Sequence, residues 1–192
     1  MPSKTLLALA TLAIVFFAAC EVKVVTPEDI EKANALVREA NALNVDGAAF
    51  LNEASDKFRV SWREAQKGDD PFKELAAKEV MLKELEPQLQ SAQGKLHDAA
   101  QKCDEASRLN VQDWFKQYLS TLADINRGSS EIAGLYLQLI RNTYDPNITT
   151  SLDRAAKQKE VEDRMTAVKT RQGELKEIKD KIAAEHSDDI KK

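Results

Sequence analysis

The chain has 192 residues, with 32 acidic and 28 basic side chains and a formal net charge of −4. This balance argues against a nucleic-acid-binding protein, because a basic face supplies most of the affinity for phosphate backbones. Only two cysteines are present, which excludes a disulfide framework. Glycine, proline and aromatic residues are sparse and strong helix formers dominate, which predicts an all-α fold.

The start of the chain is typical of an export signal. Lys4 precedes an apolar run from Leu6 to Ala19 that is broken only by Thr11. A membrane-spanning helix needs about 20 apolar residues, so this run is too short for a permanent membrane helix. A basic residue ahead of a short apolar segment that ends in small residues predicts a cleavable signal peptide over residues 1–19.

The end of the signal and the residue after it read Phe17-Ala18-Ala19-Cys20, which resembles the lipobox of bacterial lipoproteins. Ala18 and Ala19 match the small residues of that motif, whereas Phe17 departs from the aliphatic residue that is usual at its position. The resemblance implies cleavage before Cys20 and a diacylglycerol on its thiol, with fatty acyl chains such as palmitate. It also implies a bacterial cell-envelope protein, and Glu21 favours the outer membrane, facing the periplasm.

Ordinary signal cleavage is the alternative to lipidation. Cys20 would then lie at or near the start of a soluble secreted protein, where its thiol could pair with Cys103. On the lipoprotein interpretation, residues 20–26 are a lipidated cysteine and tether, and residues 27–186 are a helical bundle domain. Lys4 is the only charged residue lost with the signal, so the mature chain keeps its modest negative charge.

The first predicted helix begins at Thr26-Pro27, since threonine caps helices and proline suits their first turn. We expect it to continue to about Lys67. Its heptad register has one column of small residues, which includes Gly47, and one column of large residues. We therefore predict a continuous helix that a neighbouring helix approaches closely. The small column is Ala33, Ala40, Gly47, Ala54 and Ser61, and the large column is Leu36, Leu43 and Phe50.

The second predicted helix follows a turn, with Asp70 as its cap and Pro71 in its first turn. Residues spaced by seven give it a coiled-coil-like seam. Pro87 lies within the seam without shifting its register, which predicts a bend and not a termination. The seam positions are Leu75, Leu82, Leu89, Leu96 and Cys103.

Charged residues indicate the outward faces of these two helices. Glu53/Lys57 and Asp98/Lys102 lie four residues apart, the spacing at which opposite charges pair along one helix face. Such pairs contribute about 0.2–0.5 kcal/mol each, so they predict a solvated surface and not a functional site.

The third predicted helix begins at Asn110, which is a candidate N-cap. Trp114, Phe115 and Tyr118 cluster at its start, and we predict them to be a binding patch or a pocket at the end of the bundle. Ordinary core packing is the alternative for these three side chains. The Gly-Ser-Ser sequence at residues 128–130 predicts a looser segment midway along the helix.

The fourth predicted helix runs from about Ser151 to Glu185, and residues 187–192 are a frayed tail. It has the most polar seam of the four, so we expect its apolar strip, including Leu175 and Ile182, to be available to a partner. The seam residues are Val161, Val168, Leu175 and Ile182. The whole pattern predicts an antiparallel bundle of about four long helices, partly coiled-coil-like.

No catalytic or metal-binding motif is recognisable. The di-iron signature of helical bundles places Glu three residues before His, but Gly94 precedes His97 and Ala183 precedes His186 at that spacing. Cys103 lies in the predicted seam, where a free cysteine acts as a small hydrophobe. Glycine-rich phosphate loops and nucleophile elbows are absent from the sequence. We therefore predict no enzyme activity, no metal and no cofactor.

The expected function is non-enzymatic. We predict a protein held at the membrane through Cys20 that serves the cell envelope as a structural or protein-interaction module through its helix faces. The sequence does not identify its protein partner. Two alternatives stay open: an envelope binding protein that holds an apolar ligand within the bundle, and a soluble secreted helical protein.

Overall fold

The computed structural model describes residues 25–187, so the predicted signal peptide, Cys20 and most of the predicted tail lie outside the described residues. Within residues 25–187 the chain forms helices and no strand. The helices are α1 (Pro27–Ala65), α2 (Pro71–Ala76), α3 (Glu79–Ser107), α4 (Asp113–Tyr144) and α5 (Ser151–Glu185). None of these helices contains an uninterrupted apolar stretch of the length that a membrane span requires. The predicted all-α bundle is confirmed.

The four long helices pack in series: α1 lies against α3, α3 against α4, and α4 against α5. Ion pairs between α3 and α1 show their relative direction. Lys95 pairs with Asp46 at 2.8 Å, and Lys102 pairs with Glu39 at 2.9 Å. The partner moves back along α1 as α3 advances, so the two helices are antiparallel. Among the long helices α5 packs mainly against α4, with a smaller contact to the short α2.

α1 has the predicted start and the predicted close approach. The Thr26 hydroxyl accepts a hydrogen bond from the Asp29 backbone N–H at 3.1 Å, and Pro27 lies in the first turn. The helix continues through Gly47, where an added Cβ would lie 2.8 Å from Cγ of Leu96 on α3. The small column is buried along its whole length and the large column is only partly buried. Small residues therefore face α3 and let the two backbones come close.

The second predicted helix is divided into α2 and α3, so the prediction of one continuous helix is wrong. The N–H of Lys78 donates to the carbonyl of Leu75 at 3.0 Å, a 3₁₀-type spacing that interrupts the α-helical pattern. The interruption allows α2 to contact α1, α4 and α5 at one end of the bundle. Leu75 is 1% exposed there, and the ring of Phe72 lies 5.2 Å from that of Trp62. The free energy gained by covering the core with α2 therefore exceeds the free energy lost by interrupting the helix.

The predicted cap and seam of this region are confirmed. The carboxylate of Asp70 accepts hydrogen bonds from the backbone N–H groups of Phe72 and Lys73 at 3.1 and 3.2 Å. α3 passes through Pro87 without ending. All seam residues on α3 are fully buried, so the seam forms the central packing surface between α1 and α4. These residues are Leu82, Leu89, Leu96 and Cys103.

α4 begins at Asp113, three residues beyond Asn110, so the prediction of Asn110 as its cap is wrong. Val111 is 2% exposed, and its N–H donates to the carbonyl of Leu109 at 2.9 Å. Burying Val111 against the neighbouring helices holds the segment before α4 in a non-helical conformation. Gln112 consequently occupies the N-cap position, and its side chain makes no capping hydrogen bond.

α4 is continuous through residues 128–130, where the sequence predicts a looser segment. Gly128 instead makes room for α5, since an added Cβ would lie 2.8 Å from Cγ of Gln172. The amide of Gln172 donates to the carbonyl of Ile125 at 2.9 Å and to the hydroxyl of Ser129 at 2.8 Å. The small residues therefore permit a close polar contact between α4 and α5.

Buried side chains form three groups along the bundle. The largest lies at the end that carries α2 and the α4–α5 loop, which we call the distal end. A middle group contains Cys103 and a polar layer, in which Asn44 donates to Asn126 and the Asn126 amide lies 3.9 Å from the Cys103 sulfur. A third group, with four buried residues, lies at the opposite end, where α1 and α4 begin and α3 and α5 end. We call this the aromatic end.

Candidate functional site

The predicted patch lies at the aromatic end. Trp114, Phe115 and Tyr118 occupy the first two turns of α4, with ring centroids 5.4 Å apart for Trp114 and Phe115 and 6.4 Å apart for Phe115 and Tyr118. The ring of Trp114 also stacks on His186, the C-cap of α5, at 4.6 Å and an interplanar angle of 8°. The structure therefore brings the three predicted residues together and adds His186. No local sequence signal links His186 to residues at the start of another helix.

The aromatic patch rests on a thin core. All three rings are partly buried, and each keeps part of its surface accessible. Other large apolar side chains beside them are also only partly buried. Apolar side chains that lie together and are not fully covered leave part of their surface for a further contact. The buried residues beneath are Ala33, Ala106, Val111 and Leu119, and the partly buried neighbours are Ile30, Leu36, Val37 and Leu109.

The start of α1 belongs to the same end of the molecule. Ile30, in the first turn of α1, packs against the group that includes Phe115 and Tyr118. Thr26, the N-cap of α1, comes six residues after Cys20 in the sequence. Cys20 itself lies outside the described residues, so its lipidation stays a prediction.

Two grooves lie along the middle of α5, one on each flank. The first groove has a volume of about 380 Å³ and lies between α4 and α5. The second groove has a volume of about 300 Å³ and is lined by α1, α4 and α5. Gln172 contributes to both. The first groove is lined by Asp124, Arg127, Gly128, Glu131, Ala167, Val168, Arg171, Gln172 and Leu175. Neither groove is lined by Trp114, Phe115 or Tyr118.

The first groove has an apolar floor and a rim of both charges. Arg127 is the main fixed charge of this rim, because its guanidinium bonds Asp104 of α3 and Asp124 of α4. The hydrogen bond to Asp104 is the largest cause that raises the pKa of Arg127. Arg164 and Glu131 form a further pair across α5 and α4 at 3.6 Å.

The predicted α5 strip is mostly used within the molecule. Val161 and Ile182 are 1% and 6% exposed, so the expectation that Ile182 is available to a partner is wrong. Leu175 is partly buried and lines the first groove. α5 has few buried residues because it packs against essentially one long helix. Most of its single apolar stripe lies in that contact. Leu152 and Ile178 are the large apolar side chains that α5 exposes, at 80% and 44%.

Cys103 has the environment of a core residue. It is fully buried, and burial raises the pKa of its thiol to about 11. The thiolate is the reactive form of cysteine, so this thiol is poorly suited to nucleophilic chemistry near neutral pH. A disulfide with Cys20, as in the alternative of a soluble secreted protein, would require the bundle to open.

His97 is exposed on α3 and lies 3.0 Å from the side-chain amide of Gln101. Within residues 25–187 no group of three or more His, Cys, Asp or Glu side chains could hold a metal ion. Comparison with known proteins gives no match: no family model fits the chain, and no curated protein or solved structure is significantly similar to it. The described surface therefore offers the aromatic patch and the grooves beside α5 as candidate sites.

Proposed function

We propose that the protein is anchored in a bacterial cell envelope by a lipid on Cys20 and acts without catalysis as a structural or protein-interaction module. The observation that carries the interaction role is the packing of α5. This helix has 35 residues, lies against one long neighbour and has a groove on each flank. The Phe17–Cys20 motif supports the anchor.

The chemistry of the first groove favours a partner helix. Val168 and Leu175 give it an apolar floor, while Arg127, Glu131 and Arg171 give it a rim of both charges. An apolar centre within a polar rim is the usual anatomy of a protein interface. An amphipathic helix from a partner would place its apolar face on the floor and its charged residues at the rim. The mixed charges would then select the partner's register.

Crosslinking from native membranes with charge-reversed variants tests this role. Arg171→Glu changes the rim of the first groove, and Lys176→Glu makes the same charge change at an exposed α5 residue outside both grooves. We expect Arg171→Glu to lower recovery of a specific partner by at least about tenfold, because like charges across an interface cost more than the roughly 1.4 kcal/mol that a tenfold loss requires. Lys176→Glu should leave recovery unchanged, and both variants should keep the thermal unfolding midpoint of the unaltered protein.

Equal recovery with both variants would remove the first groove from the proposal. The anchor is tested separately by the intact mass of the protein purified from membranes. We expect the mass of a chain that begins at Cys20 and carries acyl chains, and we expect Cys20→Ser to leave the membrane fraction. An unmodified Cys20 in the membrane-purified protein would overturn the anchor.

A further inference from the structure

We propose that the aromatic end is a membrane-docking surface, which rests the bundle end-on against the headgroup region of a zwitterionic phospholipid bilayer. The inference deepens the proposed function and rests on the anchor at Cys20. It is carried by two independent observations: the short reach of the chain between Cys20 and α1, and the chemistry of the side chains at that end.

The reach of the tether selects which end of the bundle meets the membrane. Six residues separate Cys20 from Pro27, and six residues span at most roughly 20 Å even when fully extended. α1 alone has 39 residues, which corresponds to roughly 60 Å of helix. A lipid on Cys20 therefore keeps the start of α1 at the bilayer, and the start of α1 lies at the aromatic end.

The side chains at this end suit a membrane interface. Tryptophan and tyrosine have an apolar ring with a polar atom, and they concentrate at the depth of lipid headgroups in membrane proteins. Trp114 and Tyr118 lie here, together with the partly buried Phe115, Ile30 and Leu109. Their partial exposure on a thin core leaves apolar surface for the bilayer to cover.

The charges around the patch indicate which lipid it suits. Lys116 pairs with Asp113 at 3.4 Å, and the Asp113 side chain is almost entirely exposed at the tip of α4. Glu28 and Glu31 are exposed at the start of α1, beside Lys32. Among residues 25–187, this end therefore has acidic side chains beside its basic ones, unlike the purely basic cluster that binds anionic lipid. Docking should therefore depend on ring and aliphatic contacts with zwitterionic lipid, and it should be insensitive to salt.

The two tryptophans provide one fluorescent reporter at each end. Trp114 belongs to the aromatic end, whereas Trp62 packs against Phe72 at the distal end. Trp62 lies 35 residues beyond Pro27 on the same helix, or roughly 50 Å along its axis. Trp62→Phe therefore leaves a reporter at the proposed docking surface, and Trp114→Phe leaves a matched reporter far from it.

Quenching by brominated lipid is the test. The mature chain from residue 21, with an N-terminal histidine tag, is bound to phosphatidylcholine vesicles that contain a nickel-chelating lipid. Emission is compared between vesicles with brominated acyl chains and otherwise identical vesicles without bromine. We expect bromine to lower Trp114 emission about twofold in the Trp62→Phe protein, and to leave Trp62 emission in the Trp114→Phe protein unchanged. Circular dichroism checks that both variants are folded.

Two results would overturn the inference. Absence of bromine quenching at Trp114 would show that the tethered bundle does not dock through its aromatic end. Equal quenching at both tryptophans would show that the bundle lies flat on the bilayer. Because the tag replaces the lipid, either result is independent of whether Cys20 is modified. The intact-mass measurement on native protein addresses the anchor alone, so failure of docking and failure of the anchor are distinguishable.

Discussion

The distal and aromatic ends are built from the same long helices, but they bury their apolar side chains to different extents. At the distal end α2 folds across three helices, and the core group there contains fifteen buried residues. At the aromatic end the corresponding group contains four, and most of the large side chains around it are only partly buried. The chain thus completes one end of its own core and leaves the other end open to a further surface.

Polar contacts between helices and loops are also extensive at the distal end. At the distal end the Ser151 hydroxyl donates to Asp70 at 2.8 Å, which is the largest cause that lowers the pKa of this carboxyl. The Arg154 guanidinium donates to the carbonyls of Thr143 and Ile148, which fixes the loop between α4 and α5. At the aromatic end α1 has its Thr26 cap, whereas α4 begins without a capping hydrogen bond from its N-cap residue. The distal end is therefore closed by polar bonds as well as by apolar packing.

The largest expected effect comes from cavities in the two cores. Leu89 belongs to the distal core and Leu119 to the aromatic end, and both are fully buried. We expect Leu89→Ala to lower the free energy of unfolding by about 3–5 kcal/mol and Leu119→Ala by about 2–3 kcal/mol. The partly buried neighbours of Leu119 can collapse into the space, whereas the dense distal core cannot.

Urea unfolding followed by circular dichroism measures both free energies. If Leu119→Ala lowers the free energy of unfolding as much as Leu89→Ala does, the aromatic end is packed as rigidly as the distal end. The two ends would then differ only in the exposure of their apolar side chains.

A smaller change in the free energy of unfolding is expected for glycine substitutions in the middle of the bundle. Gly47→Ala would place Cβ 2.8 Å from Cγ of the fully buried Leu96, whereas Gly94 has no atom within 4 Å of an added Cβ. We expect Gly47→Ala to destabilise the protein by about 1–2 kcal/mol, since overpacking exceeds the gain in helix propensity. Gly94→Ala should stabilise it by up to about 1 kcal/mol.

Thermal unfolding of the two glycine variants extends this test to both ends. It is followed by the emission of Trp114 in the Trp62→Phe protein and of Trp62 in the Trp114→Phe protein. The close contact between α1 and α3 spans the bundle, so Gly47→Ala should lower both midpoints together. A shift at one tryptophan alone would mean that the ends unfold independently.

The smallest effect is expected at the uncapped start of α4. Gln112 has an extended backbone, with φ −56° and ψ 144°, and its side chain makes no capping hydrogen bond. Gln112→Ser should supply an acceptor for the first-turn N–H groups and stabilise the protein by about 0.5–1 kcal/mol. Gln112→Ala is the matched control, and urea unfolding measures the difference. Equal stability of the two variants would show that a missing cap at residue 112 does not limit the stability of the aromatic end.

Helix periodicity made much of the fold predictable. The small column of α1 and the leucine seam of α3 follow from residues spaced by seven, and both are buried as predicted. Capping residues located the starts of α1 and α2 because side-chain caps act within a few residues of sequence. The candidate patch was predictable for a similar reason, since Trp114, Phe115 and Tyr118 are neighbours in sequence.

Charge pairing shows where local prediction stops. Glu53 and Lys57 form the expected pair at 2.6 Å along one helix. Lys102 instead pairs with Glu39 of α1 at 2.9 Å, although Asp98 lies at the predicted spacing. A side chain that faces a neighbouring helix has a choice of partners, and sequence spacing describes only those on its own helix.

Propensity, capping and periodicity act within one segment. The sequence alone therefore predicts that the chain is helical, approximately where its long helices lie and which faces two of them bury. Packing between helices sets four further features: the break after α2, the late start of α4, the burial of Ile182 and the stacking of His186 on Trp114. Each of these depends on contacts between segments far apart in sequence. The difference between the two ends also depends on such contacts, because α2 covers a core that residues from several other helices form.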